Sequence, residues 1–178
     1  MNHLFQDKIF TPAVLKKLEE QAARYPEVLN RLEVLRASGP APSDRRKAKI
    51  VSALRAQRAA WEAYMQAAFI CGFFEHADGT DLRNRLTAPD DANFRSAIAE
   101  CMTCWYFAAN RRWKVLRAGK GRGLSSTDMT VIPPNHDSIS VEVKAPRRDL
   151  PSGVYVWCGD DGDLIEQCLS QANKQFAL

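Results

Sequence analysis

Long apolar runs are missing from this sequence, and so is a basic-then-apolar beginning. No stretch approaches the ~20 consecutive apolar residues that a bilayer-spanning helix needs. The first residues also lack the layout of a secretory signal peptide. Hydrophobic residues at 46% and charged residues at 26% are ordinary for a soluble globular chain. The sequence therefore predicts a cytoplasmic protein without a membrane partner.

The histidines and cysteines lack the regular spacing that a metal site or a disulfide framework needs. None of the three histidines has a second ligand at metal-binding spacing, and His136 is expected to be a solvent-facing loop residue. An odd count of five cysteines without a regular framework predicts free thiols in a reducing compartment. Cys101 and Cys104 form one C-x-x-C pair inside an apolar helical pattern, so we expect them to pack in a helix and not to bind zinc.

Two catalytic motifs are absent as well. No Gly-x-Ser-x-Gly elbow occurs, which argues against a serine hydrolase. The glycine-rich run at 119–123 does not end in Gly-Lys-Ser/Thr, so it is not a phosphate-binding Walker loop. It contains Lys120 and Arg122, and two interpretations stay open. It is either a plain flexible connection or a basic loop that closes on a nucleic-acid backbone.

The first half of the chain, residues 1–87, is predicted to be entirely helical. Thr11 followed by proline opens one helix, and a second follows Pro26. After a break at 38–42, Ser43 is the predicted cap of a long helix that runs to about residue 74. The first turns of this helix are basic, with Arg45, Arg46, Lys47 and Lys49. They are interpreted either as a solvated helix end or as a phosphate-contacting surface.

The second half, residues 88–178, is predicted to be an α/β domain with a small mixed β-sheet flanked by helices. A helix is expected at 92–109, followed by strands at 111–117, 126–132 and 139–146 and by a last helix at 164–176. The loop at 133–138 joins the second and third strands.

Three charged side chains fall on the last two predicted strands. Asp128 lies on one of them, and Glu142 and Lys144 lie two residues apart on the other, so both point to one face. If the strands pair, two carboxylates and an ammonium group meet. Carboxylates placed together repel unless a cation lies between them, and Mg²⁺ prefers such oxygen ligands.

Asp128 followed by Glu142-Val143-Lys144 resembles the motif of the PD-(D/E)XK nuclease superfamily, which has the restriction-endonuclease-like fold. The order of helix, strand, strand with Asp, strand with Glu-x-Lys and helix strengthens the likeness, which covers about residues 90–178. Thr127 stands where the name-giving proline would be. Cores of this superfamily usually continue into a further strand. We therefore expect a core that is shortened at its C-terminal end or completed by a strand from elsewhere.

The resemblance implies a metal-dependent DNA endonuclease. Asp128, Glu142 and the Val143 carbonyl would hold Mg²⁺, with Mn²⁺ as a substitute and Glu100 completing the shell. Lys144 would orient the attacking water. A polar residue of the last helix is expected to reach the substrate or the metal-bound water. Gln171 is the first candidate for this role, and Lys174 is the second. The expected nucleic-acid contacts are Lys120, Arg122, Arg147, Arg148 and Lys174.

Other interpretations stay open at this point. The net charge of +4 is compatible with nucleic acid without being diagnostic. A catalytically inactive module that keeps the fold for DNA binding or assembly is the main alternative. A helical interaction protein with a coincidental motif is the third, and unpaired strands at 126–146 would favour it. DNA or RNA as the substrate, and a homodimer or larger assembly, are left undecided.

Overall fold

Six α-helices and three short β-strands form the parts of the chain that a computed structural model describes, residues 5–40, 42–75, 79–117 and 128–143. The helices are α1 (Phe5–Ile9), α2 (Pro12–Gln21), α3 (Glu27–Arg36), α4 (Arg45–Ile70), α5 (Gly79–Leu86) and α6 (Asp91–Trp105). The strands are β1 (Lys114–Arg117), β2 (Met129–Ile132) and β3 (Ile139–Val141), and a π-helical turn, Tyr106–Asn110, continues α6. The described residues thus contain both helices and a small antiparallel sheet, which agrees with the predicted α/β class at its coarse level.

Capping side chains explain where the helices begin. The Thr11 side chain accepts a hydrogen bond from the Val14 amide, which confirms the predicted start of α2. The Asp90 side chain does the same for α6. For α4 the prediction of Ser43 was wrong, because the cap is Asp44, whose Oδ1 accepts from the Lys47 amide at 2.8 Å. A carboxylate there also interacts favourably with the positive end of the helix dipole.

The end of α4 lies four residues earlier than predicted. Gly72 adopts a left-handed conformation (φ +78°), and its amide donates to the Phe69 carbonyl at 2.9 Å. The Phe73 amide donates to the Ala68 carbonyl, also at 2.9 Å. These two bonds form a Schellman motif, which satisfies carbonyls that the helix end leaves without partners. The chain therefore leaves the helix axis, and the Phe73 side chain turns into the core, where 1% of it is exposed.

The short helix α1 was not predicted from the sequence. Glu62 of α4 accepts hydrogen bonds from the amides of Phe5 and Gln6, at 2.5 and 2.7 Å. Five residues are too few for a helical periodicity to be recognised, and an isolated helix of this length is unstable in water. A long-range contact with α4 therefore stabilises α1.

The three strands form an antiparallel sheet in the order β1-β2-β3. Val131 lies opposite Val115 on one side and Ile139 on the other. The predicted pairing of the second and third strands is confirmed. The predicted mixed sheet is not seen in the described residues, because all three of their strands run antiparallel.

The first strand begins at Lys114 and not at residue 111. Arg112 has a left-handed backbone (φ +57°), which is uncommon for a residue other than glycine. The Trp113 amide donates to the Phe107 carbonyl at 2.9 Å, and the two aromatic rings stack with their centroids 5.3 Å apart. Residues 111–113 therefore form the turn that brings the chain from α6 into the sheet.

One face of the sheet packs against the helices. Val115, Met129 and Val131 are buried and alternate with more exposed residues, as a half-buried sheet requires. Leu116, on the opposite face, is 41% exposed. The buried strand residues belong to one hydrophobic cluster with residues of both the 1–87 and 88–178 regions, including Leu18, Met65 and Phe94.

Arg31 joins α3 to the beginning of α6. Its Nη1 donates to the Ala88 carbonyl at 2.5 Å, and its guanidinium lies 3.8 Å from the centre of the Phe94 ring. Burial lowers the pKa of Arg31 to about 10. Within the described residues, no helix has both the length and the apolar character that crossing a bilayer requires.

Candidate functional site

The pairing of β2 with β3 brings Asp128 next to the segment that carries Glu142. Asp128 immediately precedes β2, and its amide donates to the Val141 carbonyl at 3.0 Å. Its carboxylate Oδ2 accepts a hydrogen bond from the Val143 amide at 2.6 Å. The Asp128 carboxylate is therefore in direct contact with the backbone of Val143, the residue that follows Glu142. The predicted meeting of the Asp128 and Glu142 carboxylates stays a prediction.

The exposure of these residues leaves the carboxylates accessible. Asp128 and Val143 are half-buried, and Glu142 is exposed. The second oxygen of Asp128, Oδ1, makes no hydrogen bond to any other residue that the structure describes. The Glu142 carboxylate, the Asp128 Oδ1 atom and the Val143 carbonyl are all oxygen donors, the class that Mg²⁺ and Mn²⁺ prefer. The chemistry of the donor set fits a hard divalent cation.

Glu100 has a partner that the sequence did not predict. Its two carboxylate oxygens accept hydrogen bonds from Nη1 and Nη2 of Arg85, at 2.5 and 2.9 Å. Glu100 is 6% exposed, and the fork-to-fork geometry accounts for its burial without a metal ion. The ligand role predicted for Glu100 therefore competes with an ion pair between α5 and α6. The spacing of Asp81 and Arg85, one helical turn apart, was the available signal that α5 carries an ion-pair network.

Among the residues that the structure describes, no three histidine, cysteine, aspartate or glutamate side chains gather as a metal site. Asp128, Glu142 and Glu100 are thus not brought together as a carboxylate triad. The remaining predicted site residues lie outside the described residues, and these are Lys144, Gln171, Lys120, Arg122, Arg147, Arg148 and Lys174. Their predicted roles stay predictions.

The basic first turns of α4 are exposed. Arg45, Arg46, Lys47 and Lys49 follow the Asp44 cap, and none of them forms an ion pair with another described residue. Further along α4, Arg55 and Arg58 turn back to the carbonyls of Gly39 and Ala37. Four unpaired cations at the positive end of a helix dipole are electrostatically unfavourable. A polyanion would relieve this repulsion.

The cysteines that the structure describes are buried or half-buried free thiols. Cys101 and Cys104 are both fully buried on α6, which confirms that the C-x-x-C pair packs within a helix. Cys71, the residue directly after α4, is a half-buried free thiol. His136 is exposed in the β2–β3 loop, as predicted.

A cavity of about 360 Å³ opens where α4 ends beside β1. Its lining residues are Ile70, Cys71, Gly72, Glu75, Leu116 and Arg117. The Arg117 Nη1 atom donates to the Phe73 carbonyl at 2.9 Å and so ties the sheet to the residues that follow α4. Among the predicted site residues that the structure describes, Glu100, Asp128, Glu142 and Val143 are not part of this lining.

Comparison of the chain with protein-family models, with curated proteins and with solved structures gives no match. The assignment of function therefore depends on the geometry of the chain itself.

Proposed function

We propose that this chain is a metal-dependent phosphodiesterase of the endonuclease type, acting on DNA. The observation that carries the proposal is the contact between the Asp128 carboxylate and the Val143 amide. It joins the aspartate of the motif to its Glu-x-Lys segment, although the two are 15 residues apart in sequence. A chance occurrence of the motif would not require this contact.

Asp128, Glu142 and the carbonyl of Val143 would hold Mg²⁺ or Mn²⁺. A divalent ion bound there supplies Lewis-acid stabilisation of the phosphoryl oxygen and lowers the pKa of a bound water. Asp128 has one oxygen engaged by the Val143 amide, which fixes the orientation of its carboxylate. A ligand held in place before the ion arrives loses less side-chain entropy on binding. Lys144, next in sequence, would hold the attacking water and balance charge on the phosphate.

The exposed cations of α4 support a nucleic-acid partner. Phosphate contacts by Lys and Arg supply most of the sequence-independent affinity for DNA, and they need no fixed geometry. The absence of acidic partners for Arg45, Arg46, Lys47 and Lys49 among the described residues leaves these side chains available for such contacts.

A second candidate is an inactive module that keeps the fold for DNA binding or assembly. The same hydrogen bond favours it in part, because the Asp128 carboxylate also completes the β2–β3 ladder at Val143. The pairing of Glu100 with Arg85 favours it further, since this pairing occupies a third predicted ligand. An active enzyme requires the negative charge of Asp128. An inactive module requires only the hydrogen bond that Asp128 accepts.

Cleavage of supercoiled plasmid in the presence of Mg²⁺ separates these candidates. Asp128→Asn keeps an oxygen that can accept from the Val143 amide but removes the negative charge. We expect it to lower the cleavage rate by about 10²–10³-fold, the scale seen when one preorganised electrostatic group is removed. Asp128→Ala should abolish the activity and also lower stability by about 1–2 kcal/mol, because the Val143 amide is left unpaired.

Ser140→Ala is the matched control, because it changes an exposed residue of β3 outside the proposed site. It should cleave at the rate of the unmodified chain. Equal cleavage by the unmodified chain, Asp128→Asn and Glu142→Gln would reject the enzymatic proposal. Absence of cleavage in the unmodified chain, together with retained DNA binding, would favour the inactive module.

A further inference from the structure

The segment that joins α6 to the sheet, residues 106–114, carries aromatic and cationic side chains together, and we call it the aromatic–cationic turn. Two backbone hydrogen bonds close it on itself. The Arg111 amide donates to the Tyr106 carbonyl at 2.9 Å. The Trp113 amide donates to the Phe107 carbonyl, also at 2.9 Å. The beginning and the end of the turn therefore lie side by side.

Three aromatic rings of the turn contact one another in series. The Phe107 ring stacks on Trp113, and the Tyr106 ring meets Phe107 edge-on with the centroids 5.2 Å apart. Phe107 and Trp113 are half-buried and pack against the hydrophobic core, whereas Tyr106 is 44% exposed. The two inner rings thus hold the outer one, and the Tyr106 ring faces solvent. A ring held in this way loses little conformational entropy when a flat partner stacks on it.

Exposed cations lie in the same turn. Arg111, Arg112 and Lys114 are all exposed, and none of them forms an ion pair with another residue that the structure describes. The Arg111 guanidinium lies 5.3 Å from the centre of the Trp113 ring, so positive charge is held beside the aromatic cluster. This charge complements an anionic partner.

The combination of an exposed ring with exposed cations favours a single strand of nucleic acid over a duplex. Lys and Arg contact the phosphates of either form. An aromatic ring stacks on a base only where that base is not already stacked inside a duplex. The basic first turns of α4, residues 45–50, carry no aromatic side chain, so they lack this means of discrimination.

The turn lies away from the proposed metal site along the sheet. Lys114 begins β1 and lies opposite Ile132. Arg117 ends β1 and lies opposite Met129, the residue that follows Asp128. Three residues of strand separate the two ends of β1, which is about 10 Å at ~3.4 Å per residue. Substitutions in the turn should therefore leave the surroundings of Asp128 unchanged.

We propose that the aromatic–cationic turn binds single-stranded nucleic acid, with Tyr106 stacked on an unpaired base and with Arg112 and Lys114 on the phosphates beside it. Stacking accepts every base, so the turn selects unpaired strands without selecting a sequence. The binding requires neither a metal ion nor cleavage. It therefore applies to the phosphodiesterase and to the inactive module alike.

The test is fluorescence anisotropy with labelled oligothymidylate and oligouridylate, in EDTA so that metal-dependent cleavage cannot occur. The unmodified chain should bind, and the tighter of the two strands tells DNA from RNA. Tyr106→Ala should lower the affinity about tenfold, the scale of one base–aromatic stack. Tyr106→Phe keeps the ring and should keep the affinity. Leu29→Ala, which shortens an exposed apolar side chain of α3, is the matched control and should bind like the unmodified chain.

The cationic part of the turn has a separate readout. Arg112 has a left-handed backbone (φ +57°), and asparagine tolerates this conformation, so Arg112→Asn removes the charge without adding strain. The slope of log K against log salt for the single strand should become shallower by about 0.7, the value for one phosphate contact. A labelled duplex should lose less affinity than the single strand when Tyr106 is replaced by alanine.

Three results would each overturn the proposal. The first is that the unmodified chain binds neither single strand. The second is that Tyr106→Ala binds them as tightly as the unmodified chain, and the third is that Tyr106→Phe loses as much affinity as Tyr106→Ala. Failure of plasmid cleavage together with the expected loss of binding in Tyr106→Ala would reject the proposed enzyme and leave this binding site supported.

Discussion

Arg85 is the centre of the ion pairs between α5 and α6. Besides Glu100, it contacts the Asp81 carboxylate at 3.1 Å and the Ser96 hydroxyl at 3.4 Å. Burial alone would lower the pKa of Arg85, but its hydrogen bonds to Glu100, with the negative charges of Glu100 and Asp81, raise it. The guanidinium is therefore stabilised as a cation by the two carboxylates. Removal of Glu100, the buried carboxylate, would leave the positive charge of Arg85 incompletely compensated.

Glu100→Ala is expected to lower the free energy of unfolding by about 3 kcal/mol, because it breaks a largely buried pair by removing one partner. The measurement is urea denaturation followed by circular dichroism. Asp81→Asn serves as the control. The Asp81 side chain is 46% exposed, so we expect its substitution to change stability by less than about 1 kcal/mol. If Glu100→Ala folds with unchanged stability but has a lower affinity for Mn²⁺, Glu100 is a metal ligand and the ion-pair account is wrong.

At the scale of secondary structure, the end of α4 positions both the cavity and the Cys71 thiol. Of the residues that the structure describes, a Cβ atom at Gly72 would meet the Glu75 carboxylate, at 3.6 Å, so these neighbours leave space for alanine. The backbone conformation disfavours alanine, because φ of +78° is costly for a residue with a side chain. The demand for glycine at this position is therefore conformational.

Gly72→Ala should destabilise the chain by about 1–2 kcal/mol, the cost of a left-handed conformation in an L-residue. Gly72→Asn should cost less, since asparagine tolerates this region better than alanine. Thermal unfolding of both variants, beside the exposed-helix control Gln66→Ala, measures the effect. A Gly72→Ala chain as stable as the control would show that the Schellman motif does not form in solution.

Features that depend on neighbouring residues in sequence were predictable. The Thr11 cap, the buried C-x-x-C pair and the β2–β3 pairing follow from local patterns and are confirmed. Contacts between distant segments were not predictable. The Arg85–Glu100 pair and the hydrogen bonds from the Phe5 and Gln6 amides to Glu62 each join two helices, and no periodicity within one helix encodes its partner.

On the scale of the whole molecule, charge is distributed unevenly. The exposed cations of α4 lie at one end of a 26-residue helix, about 39 Å long at 1.5 Å per residue. The buried residues of α4, by contrast, all belong to its second half, and they are Trp61, Met65, Ala67 and Ala68. The first turns of α4 therefore project a basic surface away from the core, where a nucleic-acid backbone can approach it.

Arg45→Gln with Arg46→Gln should weaken DNA binding and make it less dependent on salt. The slope of log K against log salt should become shallower by about 0.9 for each phosphate of duplex DNA that the variant no longer neutralises. Fluorescence anisotropy with a labelled duplex measures the slope. The control is the double variant Lys16→Gln with Lys17→Gln, which removes the same amount of charge from exposed positions of α2. Equal slopes for the two double variants would mean that α4 makes no specific contribution.

The most direct measurement of the proposed site is calorimetric titration of the purified chain with Mn²⁺ and Mg²⁺. We predict saturable binding to the unmodified chain, and loss of that binding in Asp128→Asn, which keeps the acceptor for the Val143 amide but not the charge. The absence of saturable binding in the unmodified chain, or equal binding by the two proteins, would contradict the assignment of Asp128 as a metal ligand.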